Sequence, residues 1–401
     1  MLQLVDLHGR RTSRSTQAAP PRVLGQRRKL FMALEGTPAS TSPADGALDA
    51  AATDLRLTHR ALLKGMLTCA PKNGVSCDEI ALRLTEEAER CIASALEAAL
   101  AYLAVRTSPA PGECVLLGLG KLGGREMTLG SDLDIVFVYE AAPGACPHEA
   151  AAYFDRVAKI TVGLLNRSQQ QERLYEVDVR LRPHGEDGPL ATPLSAFGRY
   201  YDQDCWSWEL LALARGRCVA GSARLQATVT ELLRGIHARA GRRPSLARDV
   251  AEMRALLDVE LPAQSVWDLK RAAGGLMDIE FLAQTQQLLV AGQDAELHLE
   301  TRLKAALRAL AALGRLRSQD AALLGRAASL YQTVQHVQRM AGVTDLQRAA
   351  RPYRQLASQA AGGTALPALR RRLANFQREV RPLFEHYVGR TEGAAAVWAV
   401  A

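Results

Sequence analysis

Residues 115–140 (VLLGLGKLGGREMTLGSDLDIVFVYE) constrain the fold more tightly than any other stretch of the chain. An apolar run, Val115-Leu116-Leu117, enters a turn holding Gly118, Gly120, Gly123 and Gly124. A short polar stretch closes at Gly130-Ser131, and Asp132 and Asp134 then open a second apolar run, Ile135-Val136-Phe137-Val138. Two short apolar runs bounded in this way predict two buried strands. On a strand, residues i and i+2 share a face, with Cα atoms roughly 6.6 Å apart. Carboxylates so placed repel each other unless a cation lies between them, so Asp-x-Asp at the start of a buried strand predicts a metal. The flexible glycine turn ahead of it predicts a phosphate.

The remainder of the 401 residues is organised around this segment and predicts two or three domains. A basic, Ser/Pro/Gln-rich stretch occupies residues 1–45, and a helical lead-in follows over 46–106. Its clearest element is an amphipathic helix at about 78–105, with Ile80, Leu84, Ile92, Leu96 and Leu100 mostly at three- and four-residue spacing. Ser108-Pro109-Ala110-Pro111-Gly112 ends it. A mixed α/β portion spans 107–221, with a helix predicted over 148–168 and a strand over 174–182. Residues 222–390 are rich in Ala, Leu and Arg and predict a helical bundle, broken at Pro244, Pro262, Gly274-Gly275, Gly292, Pro352 and Pro367. Residues 391–401 form a tail. The fold class is therefore α+β, a small mixed sheet followed by an all-helical bundle.

Charge and cysteine content remove several classes of function. The net charge of +8 invites a nucleic-acid partner, but residues 1–35 alone carry seven Lys/Arg against Asp6 and Glu35. This stretch has no apolar core of a secretory signal and reads as a solvated tail. No window approaches 18 uninterrupted apolar residues, so no membrane span is expected. The seven cysteines are scattered without a Cys-x-x-Cys pair, which argues against a disulfide framework or thiolate zinc site and favours a cytoplasmic protein.

The glycines Gly118-x-Gly120-x-x-Gly123 formally match a dinucleotide-binding fingerprint, but the next strand begins within ten residues, too soon for a crossover helix. A phosphate loop of the Walker type fails, because Leu122 follows Lys121. A purely structural turn stays open. Strand 174–182 adds a third acid. Its alternation places Glu176, Asp178, Arg180 and Arg182 on one face and Tyr175, Val177, Val179 and Leu181 on the other. Asp132, Asp134 and Asp178 on neighbouring strands can hold two Mg²⁺ ions, and Arg180 and Arg182 can pair with phosphate oxygens. The alternative is an exposed sheet face with internal salt bridges.

Four stretches carry a resemblance: Gly118–Phe137, YEVDVRLRP (175–183), the run 188–217 with Trp206-Ser207-Trp208-Glu209, and WDLKRAAGGLMDIEF (267–281). Together, over about residues 75–390, the chain resembles glutamine synthetase adenylyltransferase, of the DNA-polymerase-β-like nucleotidyltransferase superfamily. Members of that family hold two catalytic halves, one adding AMP and one removing it. The quoted motifs are more similar to the adenylylating half.

The resemblance implies a nucleotidyltransferase domain over 107–221. It implies that Gly123, Gly124 and Ser131 contact the triphosphate of ATP and that Asp132, Asp134 and Asp178 bind two Mg²⁺ ions. It also implies transfer of AMP to a tyrosine of glutamine synthetase, with a PII-type signalling protein as a further partner. Phosphorolytic deadenylylation, or a regulatory half without turnover, is the alternative. Lys270, ahead of Gly274-Gly275 and a helix, is expected to reach the triphosphate, with a capped core helix as the alternative. Trp206, Trp208 and Trp267 are expected in the core, His184 in a solvated loop, and Arg370-Arg371-Arg372 on a solvated helix face.

Overall fold

The computed structural model describes residues 76–389 except 107–109, 167, 170 and 171, together with single positions at Leu48, Ala50 and Thr53. The basic stretch 1–35, most of the helical lead-in before Ser76 and the tail lie outside the described residues. The helix expected at 78–105 is α1 (Cys77–Ala104), capped by the Ser76 side chain, which accepts from the Glu79 amide. Asp78 and Glu79 sit in its first turn, where the helix dipole favours negative charge.

Strand β1 (Gly112–Gly118) leads through the one-turn helix α2 (Gly120–Gly123) to β2 (Leu133–Ala141). The two strands pair antiparallel, from Gly112 opposite Ala141 to Gly118 opposite Ile135. That pairing rules out a parallel dinucleotide-binding unit on these glycines, because such a unit needs a crossover between parallel strands. Helix α3 (Pro147–Asn166) follows, then a short hairpin of β3 (Ser168–Gln169) and β4 (Glu172–Arg173). Beyond it come β5 (Val177–Asp178), β6 (Ala191–Pro193), α4 (Leu194–Gln203), α5 (Ser207–Leu213) and β7 (Arg217–Gly221).

The main sheet runs β5-β2-β1-β7, and β6 shares the outer edge of β2 with β5. Both edge pieces lie parallel to β2, whereas β7 lies antiparallel to β1. The rest of the described chain is helical: α6 (Ala223–Gly241), α7 (Leu246–Glu260), α8 (Leu276–Gln293), α9 (Leu303–Ala312), α10 (Ser318–Ala341), α11 (Arg351–Ala360) and α12 (Leu366–Tyr387). The fold is thus α+β, as expected.

Strand alternation sends the sheet into two cores. Leu116, Leu133, Ile135, Phe137 and Tyr139 pack on α1 and α3. Val115, Leu117, Val136 and Val138 face the other way and share a continuous core with the helices from Leu225 to Val388. Both faces of β1 and β2 are therefore covered, which explains their nearly unbroken apolar sequence.

The strand expected over 174–182 is much shorter. Only Val177 and Asp178 pair with β2, and the backbone then turns at residues 180–184. Arg182 causes the departure. Its guanidinium is buried and donates to the carbonyls of Val179, Glu186, Gly188 and Pro189, tying residues 179–189 into a knot. An arginine that satisfies backbone carbonyls in this way cannot lie on an open strand face.

Candidate active site

The acids gather at the start of β2. Asp132 immediately precedes the strand and Asp134 is its second residue. Asp178 on β5 stands in register beside Asp134. Asp134 shares the face of Val136 and Val138, so the acids look toward the helical half rather than toward α1 and α3. The β1 ladder holds this end in place, with the Leu119 amide donating to the Asp134 carbonyl at 2.9 Å.

Gly120 shapes the site. Its φ is +54°, and a Cβ built on it would overlap the Asp134 Oδ2 atom. Any side chain here would meet both the left-handed backbone penalty and the carboxylate. The turn glycines expected to contact phosphate behave differently. The Gly123 and Gly124 amides donate to the carbonyls of Leu119 and Gly120 within the helical turn. Both residues are buried against Arg215, whose backbone carbonyl and guanidinium occupy the space a Cβ would need. Their N–H groups donate within the turn, with Arg215 packed against them. Arg215 itself is buried between Glu126 and Glu280, linking the turn to α8.

Ser131 is also spoken for. Its hydroxyl accepts from the Thr128 amide at 2.9 Å and lies 2.8 Å from the Thr128 hydroxyl, to which Lys121 Nζ donates at 3.0 Å. Ser131, the residue before Asp132, is therefore anchored to Thr128, which also holds Lys121.

The electrostatics are those of uncompensated acids. Burial, then the neighbouring Asp178 charge, raises the Asp134 carboxyl to about 6. Burial, then Glu176, raises Asp132, with Arg339 and Lys121 opposing. Asp134 Oδ1 is buried with no hydrogen-bond partner among the described residues. Asp178 is satisfied differently: Arg180 closes back on it, with the Arg180 amide donating at 2.8 Å and Nη2 at 2.9 Å.

An unpaired buried carboxylate oxygen beside a second raised carboxyl suits a hard divalent cation, which takes oxygen ligands. Asp132 and Asp134 supply such oxygens, and Asp178 is the third, presently engaged by Arg180. As the side chains stand, no three His, Cys, Asp or Glu among the described residues form a closed cage.

One further expectation is corrected, that Trp206 lies in the core. The first amides of α8 do not form an anion site: Leu276 and Met277 donate to the carbonyls of Leu269 and Lys270. The fully buried Asp278 accepts from the Gly274 amide and pairs with Arg254 and Arg381, so it is a structural acid. Lys270 is exposed and acts electrostatically on Asp134, on the side where the acids open. Trp267 is buried as expected, Trp208 is partly buried, and Trp206 is 53% exposed. His184 is exposed, as expected, with its ring edge-on to Tyr200. Arg370, Arg371 and Arg372 are likewise exposed.

Lys121, Glu176 and Arg339 escaped the sequence reasoning. Lysine is scarce in this chain, seven against forty-three arginines. A lysine inside the glycine turn was a signal beyond the failed phosphate-loop pattern. Arg339 lies more than 200 residues beyond Asp132 and Asp134, on α10, and no local pattern marks it.

Comparison with known proteins identifies the family of the chain. Residues 26–232 match the family model described as glutamate-ammonia ligase adenylyltransferase. Residues 252–388 match the model for GlnD PII-uridylyltransferase. Among curated proteins, the chain is similar to enzymes named bifunctional glutamine synthetase adenylyltransferase/adenylyl-removing enzyme. One from Xanthobacter autotrophicus is 37% identical over 285 residues, covering 69% of this chain and 29% of the relative. One from Rhodopseudomonas palustris is 35% identical over 286 residues, covering 69% and 29%. One from Rhizobium meliloti is 39% identical over 208 residues, covering 50% and 21%. The chain spans under a third of the length of these relatives.

Proposed function

Because the chain belongs to the glutamate-ammonia ligase adenylyltransferase family, we propose that it transfers AMP from ATP to a tyrosine hydroxyl of glutamine synthetase, releasing pyrophosphate. The carrying observation is the placement of Asp132, Asp134 and Asp178 on one face, with Asp134 beside Asp178 in register and one of its oxygens unpartnered. The sheet and glycine turn then serve as a nucleotidyltransferase core, working in the cytoplasm.

In this proposal Asp132, Asp134 and Asp178 hold magnesium, which when bound offsets phosphate charge and lowers the pKa of the attacking phenol from about 10. Asp178 is the acid placed to take the phenolic proton. Arg180, now on Asp178, is a guanidinium able to turn toward phosphate oxygens. Lys270 and Arg339 present positive charge from the helical half and favour the polyphosphate on that side of the sheet. Arg182 has no part in this, since it is committed to the 179–189 knot.

The relatives' printed name includes an adenylyl-removing activity, which supports a second reading: phosphorolysis of AMP-modified synthetase on the same acids. The two are separated by incubating the protein with magnesium, α-labelled ATP and unmodified glutamine synthetase, or with magnesium, phosphate and AMP-modified synthetase. Asp132→Asn, Asp134→Asn and Asp178→Asn are expected to fold and to lower whichever reaction is observed by orders of magnitude. A near-normal rate in any of them removes that residue from the metal site. A PII-type protein remains the proposed regulatory partner; binding to the immobilised full chain tests it.

A further inference from the structure

A small, partly solvent-open cavity lies behind the glycine turn, between the start of α1, the turn itself, α8, the loop leading into α9 and helix α10. None of Asp132, Asp134 and Asp178 lines it. Its charge is unbalanced once the internal pairs are removed. Lys304 is paired with Asp78, and Glu126 and Glu280 are both held by Arg215. Three cations remain on the wall, Lys121, Arg125 and Arg302, and among the described residues none of them has an acid at ion-pair distance.

His336 is the second, independent observation. It lines the cavity from α10, is only 6% exposed, and makes no hydrogen bond among the described residues. Burial, reinforced by the Lys121 charge, lowers its pKa to about 4, so near neutrality it is an uncharged imidazole with a ring N–H to give. A neutral imidazole on the wall of a basic cavity is a place where a ligand can supply a hydrogen-bond partner. Gln332 and Gln335 on the same helix add amide donors. Arg125 is held at φ +53°, a conformation uncommon for a residue other than glycine.

We propose that this cavity is a binding site for a small phosphate-bearing anion, separate from the acids of the sheet. Its donors come from three directions: the turn, the loop before α9 and the α10 helix. That arrangement suits an anion with oxygens on several sides better than a planar carboxylate. Lys121 connects the cavity to the acids, because its ammonium bonds Thr128, and Thr128 bonds Ser131, the neighbour of Asp132. An anion bound there draws on the same lysine that opposes the raised carboxyl of Asp132.

Isothermal titration of the full chain with inorganic pyrophosphate, inorganic phosphate and succinate tests the proposal. The wild-type chain is expected to bind one pyrophosphate or phosphate and to bind succinate at least tenfold more weakly. Arg302→Gln and the more exposed Arg125→Gln are each expected to weaken phosphate-class binding about tenfold or more, the loss of a charged hydrogen bond. His336→Leu is expected to weaken it as well, with circular dichroism confirming its fold. If that variant fails to fold, the two arginine variants decide. Asp134→Asn is expected to leave the binding unchanged, which separates this site from the proposed catalytic one. No saturable binding at millimolar anion, equal binding of succinate, or binding lost in Asp134→Asn and kept in Arg302→Gln would overturn the proposal.

Discussion

Replacing Gly120 by alanine should lower activity far more than stability, because the new methyl meets the Asp134 carboxylate. The residue sits at φ +54°, where an L side chain costs about 1–2 kcal/mol. The new methyl would also overlap Asp134 Oδ2, and ordinary contact begins near 3.4 Å. The carboxylate must therefore retreat by more than about 1 Å, a misplacement of the size that costs on the order of 10²-fold in rate. Asp134 cannot follow by moving its backbone, because its carbonyl accepts from Leu119 and its strand is paired on both sides. The expectation is a folded protein, destabilised by about 1–2 kcal/mol in denaturant unfolding, whose transfer of label from α-labelled ATP to glutamine synthetase falls about 100-fold. Gly163→Ala is the control: that glycine lies inside α3 with open space around it, so alanine should stabilise by roughly 0.5–1 kcal/mol and leave transfer alone. A Gly120→Ala protein with wild-type transfer would refute the view that Gly120 sets the position of Asp134.

Three other expectations follow from packing and charge. Arg182→Ala should loosen the 179–189 knot, lowering stability by about 1–3 kcal/mol as the buried Val179 carbonyl and its partly exposed neighbours lose their donor, and should raise protease sensitivity within that loop; unchanged stability would show that the knot stands without it. Arg254→Met should cost about 3–5 kcal/mol by stripping buried Asp278 of its main cation, measured by denaturant unfolding; a loss under 1 kcal/mol would mean that Arg381 and the Gly274 amide suffice. Burial lowers His237 to about 4 from an ordinary value of 6.5, so the folded chain resists its protonation. The stability it contributes is complete above pH 6.5 and is lost as pH falls toward 4; between pH 7.5 and 4.5 the wild type should lose about 2–3 kcal/mol more than His237→Gln. Equal losses in the two proteins would place the acid sensitivity elsewhere.

What could be read from residues alone was local and periodic. The two buried strands, the helices at 77–104 and 147–166 and the helical second half follow from apolar spacing and from glycine and proline punctuation, which act within a few residues. The Asp-x-Asp pair was legible for the same reason, since i and i+2 on a strand must share a face. The strand at 174–182 was misjudged because alternation cannot foresee that Arg182 will leave the strand pattern to collect four carbonyls from its own loop.

The glycines show the division most clearly. Gly118, Gly120, Gly123 and Gly124 look equivalent in sequence, yet only Gly120 touches an acid, while Gly123 and Gly124 make room for Arg215, some 90 residues away. Legible in the residues alone were most of the helices, the two central strands with both faces buried, and the pair of acids where the second of them begins. Tertiary structure alone decided that Asp178 lands beside Asp134, that Arg180 closes on it, that Lys270 and Arg339 bring charge from the helical half, and that His336 faces a basic cavity. The physical reason is range: propensity and periodicity are fixed by neighbours along the chain, whereas the field and the free space at a site are set by side chains that meet only after the helices have packed.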